Sequence, residues 1–358
     1  MRSSIQNLVP YDAGMTHEQL EDKLGKKIIK LAANESLWGP SLLVKEVLQT
    51  NLTKLNFYPD GAGQELKKAL ETIWNLPIEN FCLGNGADDL IFLLATAFLN
   101  PGEEVVIPTP TFSSYTSSVT IVGGKIMLAP QKDLMFDLID IARYLHSGVK
   151  IVFLCNPNNP TGTFFSHAEL ELFLEKVPTG TLVVLDEAYC HYATDTGFPR
   201  SQELLEKYPN LVILRTFSKV YSLAALRIGY AVASSEVIKE LEKVRQPYNV
   251  NTLAQLAATT ALQDKEYLQK VVGETVKERE WLTQELEQRG LTVLPSQANF
   301  LLVQINNASL ISEKLLQEGI LIRNTTSFGL PDWLRITLGP HEYMEQLVQC
   351  LEKCLSGD

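Results

Sequence analysis

Five short apolar runs constrain this chain more than any other feature: Glu104–Ile107, Lys150–Cys155, Leu182–Leu185, Leu211–Leu214 and Tyr230–Ala233. They are rich in Val, Ile and Leu and do not alternate with polar residues. That is the pattern of strands buried on both faces. Helical patterns such as Ser166–Lys176 and Ser201–Lys207 lie between them. Strand–helix alternation implies right-handed crossovers and a mostly parallel sheet. After Ser235 the texture changes to the long helical patterns Val237–Val244, Thr252–Gln263 and Lys265–Arg289. Strand-like Phe300–Val303 and Leu334–Thr337 follow, with a helical Leu310–Glu318 between them and a last helix from Glu342. The expected class is α/β, with a large domain over residues 41–240. A connecting helix and a smaller α+β domain take residues 241–358. Residues 1–40 are expected to join the small domain or to reach a partner subunit. A length of 358 residues suits this division.

Charge and cysteine content exclude several classes of function. Thirty-one Lys and Arg against 42 Asp and Glu give a net charge of −11. A phosphate backbone needs clustered cations, so nucleic acid is not the expected partner. A local anion site is still compatible with that global field. Cys82, Cys155, Cys190, Cys350 and Cys354 are odd in number and lack CxxC pairs. This fits a reducing compartment and no metal site. Cys350 and Cys354, four apart on a helical pattern, read as packing. The longest apolar run, Leu90–Leu99, is about half of what a bilayer crossing needs. Met1–Pro10 carries no apolar secretory core, so no membrane and a cytoplasmic location are expected.

Ligands of open parallel sheets bind beyond the carboxyl ends of the strands. Asn156–Gly162, Asp186–Tyr189 and Arg215–Lys219 each follow an apolar run, and Gly84-Asn-Gly-Ala-Asp-Asp89 precedes the apolar helix at Leu90. Each cluster has a plain explanation. Gly84–Gly86 suits a tight turn, Asp186 a helix cap, Lys219 a solvated loop and Asn156–Gly162 a loop rich in Asn and Pro. The nucleotide signatures GxGxxG and GxxxxGK[ST] are incomplete here. The set as a whole is more specific. A phosphate cradle, a strand-end carboxylate, an amide, a phenol and a lysine are what pyridoxal phosphate requires.

These residues resemble fold-type I pyridoxal-phosphate enzymes of the class I/II aminotransferase superfamily and, within them, the histidinol-phosphate aminotransferase family. The resemblance rests on Val9-Pro-Tyr11, Leu31-Ala-Ala-Asn-Glu35, Tyr58-Pro-Asp-Gly61, Gly84-Asn-Gly86 and Pro108-Thr-Pro-Thr-Phe112. It continues through Asn156–Gly162, Asp186-Glu-Ala-Tyr189, Leu214-Arg-Thr-Phe-Ser-Lys219, Leu226-Arg-Ile-Gly-Tyr230, Ala298-Asn-Phe300, Arg323 and Leu334-Arg-Ile-Thr337.

The resemblance implies a pyridoxal 5'-phosphate cofactor held covalently by Lys219, which would also shuttle the proton. Asp186 would pair with the pyridinium. Asn159 and Tyr189 would bind the ring oxygen, and Phe112 would stack on the ring. Backbone amides of Ala87 and Asp88, with Thr216, Ser218 and Arg227, would hold the phosphate. Tyr58 would reach the neighbouring site of a homodimer. Arg335 would bind the anionic group of a small amino substrate, with Tyr11, Asn34 and Arg323 as further contacts. The implied reaction is ping-pong amino transfer with 2-oxoglutarate or glutamate.

Three segments depart from the family pattern. Asn34-Glu-Ser-Leu-Trp-Gly-Pro40 replaces Asn-Glu-Asn-Pro-Tyr-Gly-Pro, Ser222 and Ala225 replace glycines, and Gly339-Pro340 replaces Gly-Thr. They leave open elimination and cyclisation on a hydroxylated arginine, or decarboxylation. His191 reads as a surface histidine near the cleft, and Trp38 as a possible wall of the substrate pocket.

Overall fold

The computed structural model describes residues 3–6, 8, 10 and 15–356. Its strands are β1 (Ile29–Leu31), β2 (Phe81–Gly84), β3 (Glu104–Thr109), β4 (Lys125–Pro130), β5 (Val149–Cys155) and β6 (Leu182–Asp186). They continue with β7 (Leu211–Thr216), β8 (Gly229–Val232), β9 (Thr292–Val293), β10 (Phe300–Gln304), β11 (Ile320–Asn324) and β12 (Trp333–Thr337). Seven of them form one sheet in the order β2-β8-β7-β6-β5-β3-β4. Within it β4, β3, β5, β6 and β7 run parallel, and β8 is antiparallel to both β7 and β2.

Both faces of the sheet are buried along its middle strands, which explains the uninterrupted apolar runs. Val152, Leu154, Val183, Leu185 and Ile213 share a core with the helices Gln64–Trp74, His167–Leu174 and Thr252–Gln263. The alternate residues Ile151, Phe153, Val184, Val212 and Leu214 share the opposite core with Ala87–Phe98, Ser113–Val122 and Ser235–Val244. The period of two along each strand thus delivers apolar side chains to both layers. Ser41, Asn251 and Asp264 accept from backbone amides at the starts of the helices that follow them, the usual device for satisfying orphan donors.

The second sheet has the order β1-β11-β12-β10-β9. Its strand β1 comes from near the start of the chain and pairs parallel with β11, Ile29 opposite Ile320. The helix Lys265–Gln288, 24 residues long, leads from one layer to the other, spanning roughly 36 Å. Among the described residues no helix is long and apolar enough to cross a membrane. None of them gathers into a metal-type cluster of His, Cys, Asp or Glu.

Candidate active site

Register brings the polar clusters together. Cys155 lies opposite Asp186, and Asp186 opposite Leu214, so the loops after β5, β6 and β7 open side by side at one edge. Asp186 ends β6 with 3% exposure. Its Oδ2 accepts from the Tyr115 hydroxyl at 2.7 Å and its Oδ1 from the Ala188 amide at 3.0 Å. Both donors are neutral, and burial lifts the carboxyl to about 6. A buried carboxylate with only neutral donors is half of an ion pair.

Lys219 sits on the turn after β7. Its Nζ donates to the Ala33 carbonyl at 3.3 Å and lies 5.6 Å from the Tyr189 ring centroid. Burial, reinforced by Arg335, lowers its amine to about 8. A lysine in that range is part neutral near pH 7 and can act as a nucleophile. Tyr189 is buried, and its hydroxyl accepts from Asn34 Nδ2 at 3.1 Å. Asn34 is fastened to β12 through Thr337, whose Oγ1 accepts from its amide at 2.9 Å. Asn159 Oδ1 accepts from Arg335 Nη1.

Arg335 is 5% exposed on β12. Its Nη2 donates to the Ala32 carbonyl at 2.7 Å, while its Nε is buried with no acceptor. Burial, with Arg323 adding repulsion, lowers it to about 10. An unpaired donor on a buried cation asks for an anion. Arg323 stands directly across the ladder from Arg335. Its own side chain is exposed, donates to Ser327 Oγ at 3.2 Å and lies 5.9 Å from the Phe328 ring centroid.

A candidate phosphate cradle lies at the start of the helix Ala87–Phe98, whose N-terminus favours anions. Gly86 there holds φ +88°, and a Cβ on it would lie 2.4 Å from Arg227 Nη2. The guanidinium could swing aside, but the φ is one that glycine adopts without strain. Arg227 Nη1 donates to Ser218 Oγ at 3.3 Å, and the Ser218 amide donates to Thr216 Oγ1 at 3.0 Å. The Asp88 carboxylate pairs with Arg227 at 3.4 Å and accepts from Ser114 Oγ at 2.6 Å. The cradle, the half ion pair at Asp186 and the partly neutral Lys219 together fit the phosphate, ring nitrogen and aldehyde of pyridoxal phosphate.

Tyr58 is 82% exposed and stacks on Tyr248 at 4.8 Å between centroids. Tyr11 lies outside the described residues. Phe112 is half-buried and meets Tyr115 edge-on at 5.7 Å. His191, expected at the surface near the cleft, is half-buried. The short turn Cys190–Tyr192 folds it inward, edge-on to Tyr221 at 5.3 Å, and burial lowers it to about 3. Trp38 is half-buried against the cluster that holds Tyr189 and Phe300.

Tyr115 escapes a motif search. Tyr115 is fully buried one turn after Phe112, so both face the sheet. The one hint in the sequence is that a buried Asp186 needs a donor. Removing that donor, Tyr115→Phe, is expected to cost about 1–3 kcal/mol at pH 7. The hydroxyl supports only the ionised carboxylate, so the loss shrinks as pH falls through about 6. Urea unfolding of the cofactor-free protein at pH 7 and at pH 4.5 measures it.

Comparison with known proteins agrees with this geometry. A family model described as aminotransferase class I and II matches residues 26–351. Histidinol-phosphate aminotransferase 2 of Carboxydothermus hydrogenoformans is 42% identical over 342 residues, covering 95% of this chain and 94% of its own. Histidinol-phosphate aminotransferase of Moorella thermoacetica is 39% identical over 358 residues, 99% of this chain and 93% of its own. A crystal structure of histidinol-phosphate aminotransferase from Sinorhizobium meliloti, in complex with pyridoxal-5'-phosphate, superposes with a TM-score of 0.92 at 29% identity. It covers 99% of this chain and 97% of that one. With its fold, its strand-end site and these full-length relatives in agreement, the chain belongs to the aminotransferase class I and II family.

Proposed function

We propose that this chain is a pyridoxal-phosphate-dependent aminotransferase that takes the amino group of histidinol phosphate and passes it to 2-oxoglutarate. The observation that carries the reading is the buried Arg335, with its unpaired Nε, beside Asn159 and Lys219. It offers a substrate anion a desolvated cation next to the reacting amine. Relatives of that name run the length of the chain.

Pyridoxal phosphate, when bound, supplies a sink for the negative charge that develops at the substrate Cα. The rest is the work of side chains. Asp186 holds a proton on the ring nitrogen, and Tyr189 and Asn159 donate to the ring oxygen. With its Oδ1 taken by Arg335, Asn159 has its Nδ2 left for that bond. Ala87, Asp88, Thr216, Ser218 and Arg227 anchor the phosphate, and Phe112 covers the ring. Lys219 Nζ, once free, takes the Cα proton and returns it. Asn34 and Arg323 would line the substrate pocket with Arg335, and Tyr11 would be a further substrate contact.

The active form is a cytoplasmic homodimer, with residues 41–240 as the large domain and 241–358 as the helix and small domain. Leu42, Leu55, Phe57 and Tyr58 are 62–82% exposed and close in sequence, an apolar surface of the kind that pairs subunits. Tyr58 there would serve the neighbouring site. The full-length relatives are named aminotransferases, which favours amino transfer over elimination, cyclisation or decarboxylation.

The test is incubation of the cofactor-loaded protein with histidinol phosphate and 2-oxoglutarate. Glutamate release is the expected result. Turnover of another amino donor with none from histidinol phosphate would overturn the substrate. Arg335→Ala is expected to weaken donor binding by about 2–4 kcal/mol, seen as a raised KM.

A further inference from the structure

Ser222 holds φ +59°, the left-handed region where a Cβ is crowded and glycine is the default. It closes the turn that carries Lys219, its amide donating to the Lys219 carbonyl at 2.9 Å. A strained residue kept at such a place points to a use for its side chain. Here Ser222 Oγ donates to Ser36 Oγ at 2.7 Å.

Ser36 lies in a segment, residues 33–39, that borders the site. Ala33 accepts from Lys219 Nζ, and Asn34 donates to the Tyr189 hydroxyl. The segment is fastened to the second sheet at Asn34, through Thr337 and Asn299. It is fastened to the long helix at Gly39, whose carbonyl accepts from the Tyr267 hydroxyl at 2.6 Å. Leu37 packs where a Cβ on Gly339 would stand, 2.6 Å away. Between these points Ser36 meets the lysine turn.

We infer that Ser36 and Ser222 form a latch that holds residues 33–39 against the Lys219 turn, making Ser222 a positioning residue for substrate binding. The inference rests on the reading of Lys219 and Arg335 as the active site. The strain at Ser222 is offset by the bond it makes, so two substitutions separate the terms. Ser222→Ala loses the bond and keeps the strain. Ser222→Gly loses both. Ser36→Ala breaks the bond from the other side.

Amide hydrogen exchange of residues 33–39 in the cofactor-free full chain reads the latch without any reaction. All three variants are expected to exchange there about tenfold faster. Ser222→Gly is expected to be more stable than Ser222→Ala, although both open the segment equally. In the loaded enzyme the donor KM rises about tenfold while kcat stays within about twofold. The Ser36→Ala/Ser222→Ala pair is no worse than either single variant. Wild-type exchange and KM in Ser222→Gly would overturn the latch and leave Ser222 as a turn residue only. A fall in kcat with unchanged KM would overturn it as well. Faster exchange in a protein that transfers no amino group from any donor would uphold the latch and sink the functional reading instead.

Discussion

Lys219→Ala loses turnover by roughly 10⁴-fold or more, because the nucleophile and the proton carrier vanish together. The cofactor still enters noncovalently, since the cradle at Gly86 and Arg227 is untouched. Steady-state assay and absorbance of the dialysed variant measure the two effects. Turnover near the wild-type rate would end the assignment of Lys219. The intact lysine makes a second expectation. Its amine lies at about 8, lowered by burial and by Arg335. Only the neutral amine attacks an aldehyde, so capture of pyridoxal phosphate by the cofactor-free protein should quicken as pH rises through about 8 and then level off. A rate still climbing toward the ordinary lysine range would show that the side chain is solvated.

Asp186→Asn pulls stability and activity in opposite directions. In the cofactor-free protein the carboxyl sits at about 6 against an ordinary 3.8. The folded state therefore favours the protonated form. Its burden is absent below pH 3.8, grows as pH rises through 6 and is constant above. Near pH 7 it amounts to about 3 kcal/mol. Asn removes the charge but keeps one acceptor for two donors, Tyr115 and Ala188, which returns about 1 kcal/mol. The net expectation is a cofactor-free variant about 2 kcal/mol more stable at neutral pH, with no advantage near pH 4. Turnover falls roughly 10²–10³-fold, because nothing holds the proton on the ring nitrogen. Chemical unfolding at the two pH values and a kinetic assay check both halves. A variant less stable at pH 7 would mean that Asp186 is charged at little cost.

The parts of the fold that the sequence reveals are those where local pattern and burial coincide. The strands β5, β6 and β7 carry the unbroken apolar runs Ile151–Cys155, Leu182–Leu185 and Leu211–Leu214 and sit mid-sheet, covered on both faces. The edge strand β4 is half exposed and mixed in pattern. The strands β1 and β11 are short and interrupted by Lys30 and Arg323, so neither stands out from a loop. The reversal of β8 leaves no mark, because an antiparallel strand in a buried sheet has the same composition as a parallel one. That Asn159, Asp186, Tyr189 and Lys219 gather at one edge of the sheet is legible because strand ends and motifs mark them. Tyr115 is not, since it joins Asp186 across 71 residues through a helix that otherwise reads as packing. His191 misled for the opposite reason. Histidine in a polar stretch suggests solvent, and only the turn geometry places it against Tyr221.

The pairing of β1 with β11 has a meaning for how the molecule comes into being. The strands of the seven-stranded sheet are all in hand once residue 232 has left the ribosome, and this layer can condense while synthesis continues. Ile29, however, waits for Ile320, and Asn34 for Asn299 and Thr337. Until those residues emerge, the segment that touches Lys219 and Tyr189 lacks its anchors in the second sheet. A nascent or prematurely terminated chain therefore carries the reactive lysine without its finished surroundings. Stitching β1 to β11 and Asn34 to Thr337 withholds competence until those late residues have been made.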